Sequence, residues 1–423
     1  MTNAAVWTDG VAPYSATECH AYYTQWYLRT LHEPELDYAF PNADHPAESL
    51  WLRGGHLRLT VASFSVPKLY VTGSSSIGTT RDAPNRVEVR ASRFDLRESD
   101  AKNKKLVLNA YVGQTLALKG EIVGSVPIEC RGWASGSPQA YYELDGLNTN
   151  FTGKILVSQD EVRSGNINLA NKYPRLLLSD ERNLGGRMPE PDPRALTLTH
   201  LAQVVLTNAD AVTLHDGLNR GIYVQGCGRF LVGEGKTLGI RWPVLLSGKM
   251  MKEGAGTLSL GGVMRHESAD GEDVVDVPRA NSNLFEIVSG TVKIENALAL
   301  AGVETTVGEA AALKLVLDPE NEDICRYGIK NLTASMPFAQ EGEGRLRLGI
   351  DPGEVAAPAE NETVTNALVS VSDAAAEELR KIMPRRLTVW DNRQTRIVET
   401  HPEAGVTTFV AETANRGFVL ILR

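Results

Sequence analysis

The amino-acid sequence predicts an all-β chain whose short strands stack as the coils of a parallel solenoid. Segments of four to six residues alternate apolar and polar side chains, as in Arg86-Val-Glu-Val-Arg and Thr115-Leu-Ala-Leu-Lys, and this period of two is typical of half-buried strands. Gly, Asn, Asp, Ser or Pro bounds each segment, and no amphipathic helical stretch separates them. Because about 300 residues of such strands exceed one β-sandwich, the pattern favours stacked coils.

Composition and charge limit the kinds of partner. The chain has 423 residues, 38 of them glycine, and a formal net charge of -9, so no global field favours nucleic acid. No apolar run reaches the roughly 18 residues of a membrane-spanning helix, and the first residues lack the basic and apolar regions of a signal peptide. We therefore expect neither a nucleic-acid partner nor a transmembrane segment in this chain.

Three segments are predicted along the chain. Residues 1–50 are the least repetitive and are predicted to form an N-terminal cap, because repeat folds need atypical ends. Residues 51–350 carry the alternating segments and are predicted to form the solenoid. Residues 351–423 are predicted to form a small α+β C-terminal cap, with a helix over Ser372–Met383 that Pro384 ends, followed by short antiparallel strands.

The stretch from Lys252 to Leu260 contains the clearest single coil element. Gly254 and Gly256 lie in a Lys-Glu-Gly-Ala-Gly turn, where glycine permits a sharp corner. The strand that follows alternates, so Leu258 and Leu260 are expected to face the core and Thr257 and Ser259 to face outward.

Two stretches carry a family resemblance. Lys252-Glu-Gly-Ala-Gly-Thr-Leu-Ser-Leu260 resembles the K-x-G-x-G-T-L-x-L signature of autotransporter-associated β-strand repeat proteins, and Asn148-Thr-Asn-Phe-Thr-Gly-Lys-Ile-Leu-Val157 resembles their N-x-x-F/Y-T-G unit. The matching structural positions are Lys252, Gly254, Gly256, Thr257, Leu258, Leu260, Phe151 and Gly153.

The resemblance has implications for fold, location and function. It implies a right-handed parallel β-helix, a pectin-lyase-like solenoid, in a bacterial protein that is secreted or displayed at the cell surface. Such proteins carry adhesive or stalk-like regions. The expected partner is accordingly a surface glycan or protein, and a homo-oligomer is left open.

The outward positions of the strands favour binding over catalysis. They carry hydroxyl, basic and aromatic groups without a carboxylate pair, namely Thr257, Ser259, Thr197, Thr199, Thr213, Lys154 and Tyr223. Acid–base chemistry on a glycosidic bond needs such a pair, or a carboxylate with a metal or arginine partner. The sequence therefore predicts a non-catalytic adhesive or scaffolding module.

The alternative is a carbohydrate-active β-helix enzyme, either a polysaccharide lyase or a glycoside hydrolase. Its best local pair is Asp216 with Arg220, which Asp210 or Asp180 could join from neighbouring coils. Asp216-Gly217 is also an ordinary turn. A trimer resembling a phage tailspike is a third, more distant possibility.

Neither a metal nor a cofactor is expected. The cysteines, Cys19, Cys130, Cys227 and Cys325, lie in no CxxC or CxxH spacing, and the sequence has no H-E-x-x-H motif. The cysteines are predicted to be free thiols.

Overall fold

A computed structural model describes most of the chain and divides it into two compact units. The first comprises Met1–Val212 and Gly217–Arg229, and the second Thr213–Asp216 and Phe230–Arg423. The described residues are 18–22, 28–29, 38–39, 49–53, 56–71, 73–96, 104–132, 140–159, 173–267, 273–274, 284–296, 298–300, 302–316, 331–334, 347–351, 356–360, 362–373, 376–377, 380, 383, 386–387, 389 and 394–415.

The described part of the first unit consists almost entirely of strands and the turns between them. Its strands are β1 (Glu18–Tyr22), β2 (Leu28–Arg29), β3 (Tyr38–Ala39), β4 (Ser49–Arg53), β5 (His56–Leu59), β6 (Ser63–Ser65), β7 (Lys68–Val71), β8 (Ser75–Thr79), β9 (Arg86–Leu96), β10 (Leu106–Asn109), β11 (Thr115–Gly124), β12 (Ile128–Gly132), β13 (Tyr141–Asp145), β14 (Ile155–Gln159), β15 (Arg175–Leu177), β16 (Asp192–Thr199) and β17 (Ala202–Leu206). Two further strands, β18 (Ala211–Leu214) and β19 (Arg220–Val232), cross the division between the units. Short 3-10 helices span Glu181–Leu184 and Asp216–Leu218.

Every strand pairing in these ladders of the first unit is parallel. One ladder runs β2–β5–β8–β10–β12–β14–β16–β19. A second runs β3–β6–β9–β11–β13–β15–β17. A third runs β1–β4–β7 and continues through the C-terminal halves of β9 and β11. Strands that are neighbours in sequence thus lie in different ladders, which confirms the predicted parallel solenoid.

The core of the first unit follows directly from the alternation of the strands. On β9 and β11, Val87, Val89, Leu116 and Leu118 are completely buried, while the residues between them, apart from Ala117, are partly exposed. Parallel pairing in register places each inward side chain beneath its counterpart on the next coil. Burial of these stacked apolar groups is the main favourable contribution to the stability of the unit.

One corner of the first unit is closed by buried asparagines. The side-chain oxygen of Asn148 accepts from the backbone N–H of Ile122 at 2.8 Å, and its amide nitrogen donates to the carbonyl of Asn183 at 3.0 Å. Asn183 in turn accepts from the N–H of Asp180 at 2.9 Å. These side chains satisfy buried backbone groups where the chain leaves a strand.

The second unit continues the pattern with longer strands. They are β20 (Thr237–Ile240), β21 (Val244–Glu253), β22 (Thr257–Leu260), β23 (Met264–Glu267), β24 (Asp273–Val274), β25 (Leu284–Ile294), β26 (Glu304–Val316), β27 (Asn331–Ala334), β28 (Arg347–Asp351), β29 (Thr363–Ser372), β30 (Arg386–Leu387), β31 (Gln394–Glu403) and β32 (Val406–Ala414). Its parallel ladders are β20–β22–β25–β26–β28, β21–β23, and β21–β25–β26–β27. The β23–β24 pair is antiparallel.

The Lys252 coil has the predicted corner. Leu258 and Leu260 are completely buried, and Gly254 has a φ of 78° that favours glycine. Lys252 is also completely buried, and its ammonium group donates to the carbonyls of Gly254 at 2.6 Å and Ser289 at 2.8 Å. The lysine of the signature therefore ties one corner to the next coil.

The C-terminal segment departs from the parallel pattern as predicted. The strands form an antiparallel sheet in the order β29–β32–β31–β30. Within the predicted helix over Ser372–Met383, the described positions Asp373, Ala376, Glu377 and Arg380 are helical, and Glu377 and Arg380 form an ion pair at 2.6 Å. In the described part of the chain, no helix has the length and apolar character needed to cross a membrane.

Two details of the sequence prediction differ from the structure. Parallel pairing reaches back to β1, β2 and β3, inside the segment predicted as an N-terminal cap. Three residues predicted to be outward and accessible, Thr199, Tyr223 and Ser259, are buried. Ser259 donates to Glu295 at 2.5 Å and Arg194 covers the ring of Tyr223 at 4.8 Å, so long neighbouring side chains lie over this outer layer.

Candidate functional site

The outer face of the ladder β9–β11–β13–β15–β17 concentrates polar and aromatic side chains. Strict parallel register aligns Arg86, Thr115, Tyr141, Arg175 and Gln203 in one row across five strands. Adjacent strands lie about 4.8 Å apart, so the row extends over roughly 19 Å. Its members are distant in sequence, and only the coil register brings them together.

One half of this face is an ion-pair network, formed by Arg86, Glu88, Arg90, Lys119, Glu143 and Asp145. Arg86 contacts Glu88 at 3.0 Å and Glu143 at 2.6 Å. Arg90 contacts Glu88 at 2.7 Å, and Lys119 contacts both Glu143 and Asp145. Each carboxylate of the network therefore faces at least one basic group.

Ion pairing decides the protonation of Glu88 and Lys119. Partial burial of Glu88 opposes its ionisation, but hydrogen bonds from Arg90 and Arg86 outweigh burial and lower its pKa. Burial likewise opposes the charge on Lys119, and its contacts with Asp145 and Glu143 raise its pKa. A carboxyl group with a lowered pKa holds no proton to donate at neutral pH, which makes Glu88 a poor general acid.

The other half of the face is a tyrosine–arginine patch, formed by Tyr141, Tyr173, Arg175, Gln203 and Arg229. The guanidinium carbon of Arg175 lies 5.3 Å from the ring centroid of Tyr141 and 5.0 Å from that of Tyr173. Arg229 lies 4.4 Å from the Tyr173 ring centroid. Arg175 also donates to the hydroxyls of Tyr141 at 3.0 Å and Tyr173 at 3.1 Å. Aromatic and guanidinium planes thus alternate along the patch.

Arg220, half of the predicted catalytic pair, has a structural position. Only 2% of its surface is exposed, and its guanidinium donates to the carbonyls of Gly186 at 2.7 Å, Phe151 at 2.8 Å and Gly153 at 3.3 Å. Desolvation lowers its pKa to about 10, although the charge of Asp192 opposes this shift. A substrate cannot reach this guanidinium, so a catalytic role for Arg220 is not supported by its position.

The carboxylates predicted to work with Arg220 do not converge on it. Asp216 is exposed within the 3-10 turn Asp216–Leu218, and Asp210 is exposed as well. Asp180 caps the 3-10 helix over Glu181–Leu184, where hydrogen bonds from Arg182 lower its pKa. Turn and capping chemistry, which favours Asp at these positions, accounts for Asp180 and Asp216.

The remaining motif positions serve packing. Phe151 is completely buried, and a side chain at Gly153 would lie 2.5 Å from the Phe151 ring, so only glycine fits beside that ring. A side chain at Gly256 would lie 2.0 Å from the Gly233 carbonyl oxygen. Thr257 is half-buried on the outer face of β22.

One buried carboxylate escaped the sequence reasoning. Glu129 is 4% exposed and contacts Lys105, Arg131 and Ser158. Burial opposes its ionisation, but hydrogen bonds from Arg131 and Lys105 prevail and lower its pKa. The tyrosine–arginine patch also escaped, and aligning the outward positions of successive coils is the signal that could have revealed both.

Metal and thiol chemistry find no support in the described residues. No group of three or more His, Cys, Asp or Glu side chains there is placed to hold a metal ion. Cys130 and Cys227 are free thiols, and burial raises the pKa of Cys130, which suppresses its reactivity. The side chains of Cys19 and Cys325 lie outside the described residues.

Comparison with known proteins gives no relative from which a function could be transferred. No protein-family model and no curated protein matches the chain, and neither does any solved structure.

Proposed function

We propose that the chain is a non-catalytic binding module, a solenoid that presents its outer ladder face to a surface ligand. The observation that carries this proposal is the ion pairing of the carboxylates on that face. Glu88, Glu143 and Asp145 each contact a basic side chain. Glycosidic hydrolysis requires a carboxylic acid that is protonated at working pH, whereas the pKa of Glu88 is lowered.

The family resemblance supports the same proposal. The Lys252 signature and the Phe151–Gly153 unit form coil corners and core contacts, as repeat motifs of a solenoid should. A module of this kind would act at a bacterial cell surface or after secretion, as an adhesive or spacing element. Function on such a fold belongs to side chains on outer faces, because inward positions are occupied by packing.

The carbohydrate-active enzyme is the alternative. Glu88 and Glu143 lie on the strands that flank β11, hence about 10 Å apart at the backbone. This separation is near the range of carboxylate pairs in inverting glycosidases. Their shared contact with Arg86 favours two ionised groups, which speaks against acid catalysis by either.

A glycan array with the purified chain tests the proposal. The expected result is retention of a subset of glycans that persists through prolonged incubation, with the bound glycans intact. Loss of bound glycan from the array with release of shortened fragments would contradict the proposal and favour the enzyme.

A further inference from the structure

The tyrosine–arginine patch has the features of a ligand site beyond what stacking of coils requires. Tyr141, Arg175, Tyr173 and Arg229 alternate as aromatic and guanidinium planes. Tyr141, Arg175 and Arg229 remain partly exposed, while Tyr173 is 5% exposed and supports the stack from beneath. Rigid support of partly exposed groups is the arrangement that binding sites need.

Arg175 is the central cation of the patch. Two of its nitrogens donate to tyrosine hydroxyls, which are neutral acceptors. Its Nε is shielded from solvent and has no hydrogen-bond acceptor within the part of the chain described by the structure. A shielded guanidinium that contacts only neutral groups is poorly compensated, and a planar carboxylate is its best partner.

The charge of the whole ladder face points the same way. In the described residues, the ion-pair network and the patch together carry five basic and three acidic side chains, which are Arg86, Arg90, Lys119, Arg175 and Arg229 against Glu88, Glu143 and Asp145. This local excess of positive charge stands out in a chain of net charge -9. Locally complementary charge attracts an anion to the patch even where the distant field is negative.

We propose that the patch binds an acidic, uronate-containing oligosaccharide that crosses the strands of the ladder. One uronate carboxylate would accept hydrogen bonds from Arg175, and the apolar face of a neighbouring sugar ring would pack on Tyr141. The row from Arg86 to Gln203 repeats side chains at the strand spacing, which suits an extended repetitive polymer. This inference rests on the proposed function, since it names the ligand of that binding face.

The test uses the full chain and a short oligogalacturonate as probe, with a neutral galactose oligomer of equal length as comparison. Isothermal titration at about 50 mM salt should show binding of the acidic oligomer alone, and binding should weaken steeply as salt rises. Equal binding of both oligomers, or no binding of the oligogalacturonate, would overturn the proposal.

Variants locate the site. Arg175→Gln should weaken oligogalacturonate binding by about tenfold or more, because the guanidinium contact with the carboxylate is lost. Arg175→Lys should give an intermediate loss, because it keeps the charge but not the fork. The matched control is Arg396→Gln in the C-terminal sheet, where an exposed arginine pairs with Glu412 at 3.0 Å, and its binding should stay within about twofold. Equal losses in the control and the patch variants would contradict the assignment.

Two further arms keep the result decisive. If Arg175→Gln fails to fold, Arg175→Lys and the neutral oligomer still decide between a specific site and its absence. An acidic peptide of matched charge that binds as tightly as the oligogalacturonate would overturn the sugar specificity. Shortening of the bound oligomer would overturn the non-catalytic function and leave the site standing, whereas intact but unbound oligomer would do the reverse.

Discussion

Arg220 shows at the scale of a single residue how a plausible catalytic group can be structural. Its three carbonyl contacts satisfy a corner that lacks regular strand pairing. Arg220→Ala should lower the free energy of unfolding by about 3 kcal/mol or more, because three buried acceptors lose a charged donor. Denaturant unfolding measures this, with Asp216→Ala as the control.

Asp216 is exposed, so Asp216→Ala is expected to shift stability by less than about 0.5 kcal/mol. Similar losses for the two variants would show that the corner does not depend on the Arg220 contacts.

Lys252 provides a prediction about pH. Desolvation lowers its pKa to about 8, although the charge of Glu253 opposes this shift, so the folded state resists protonation. The unfolded state, with an ordinary lysine pKa near 10.4, binds more protons between about pH 8 and pH 10.4. The Lys252 contribution to stability should therefore rise with pH across that window, by at most about 3 kcal/mol, and stay constant below pH 8.

The Lys252→Met variant isolates this term, because it keeps the length of the side chain but cannot titrate. The measurement is the difference in unfolding free energy between the parent and Lys252→Met at pH 7 and at pH 10. We expect the difference to shift in favour of the parent at pH 10. A difference that is the same at both pH values would contradict the lowered pKa.

At the scale of the element, β22 tests the alternation that predicted the fold. Leu258 stacks between Leu238 and Val292 on the neighbouring strands, and Thr257 between Thr237 and Thr291. Leu258→Asp would bury a charge without a partner and should cost about 3–5 kcal/mol. Thr257→Asp, on the outer face, should cost less than about 1 kcal/mol, and thermal melting of both variants provides the comparison. Equal melting temperatures would show that the inward assignment of Leu258 is wrong.

The sequence predicted the elements well and the outer layer poorly, for a physical reason. Inward positions such as Leu258 and Leu260 repeat a simple rule of burial, and glycine at 254 reports a corner directly. Outward positions depend on which residues the coil register aligns, and coil length varies: Ser49 pairs with Lys68, whereas Ile155 pairs with Leu196. The burial of Tyr223 and the stack around Arg175 therefore could not be derived from local pattern alone.

At the scale of the whole molecule, the fold separates stability from function. Within each unit, inward side chains and corner groups hold the coils together, and the ion-pair network and tyrosine–arginine patch lie on the outer ladder face of the first unit. The candidate catalytic pair from the sequence was wrong in its position because Arg220 belongs to the interior. Catalysis and binding make opposite demands on the carboxylates of that face, since catalysis needs one of them protonated.

The most direct measurement of the non-catalytic proposal places the purified chain in molar excess over an end-labelled acidic polysaccharide for many hours. Under these conditions even a very slow enzyme completes one turnover, and the polymer length is then read by gel. We predict retarded migration from binding, with the full polymer length recovered after the protein is removed. Recovery of shortened polymer that depends on Glu143, abolished by Glu143→Gln, would contradict the proposal and assign the face to catalysis.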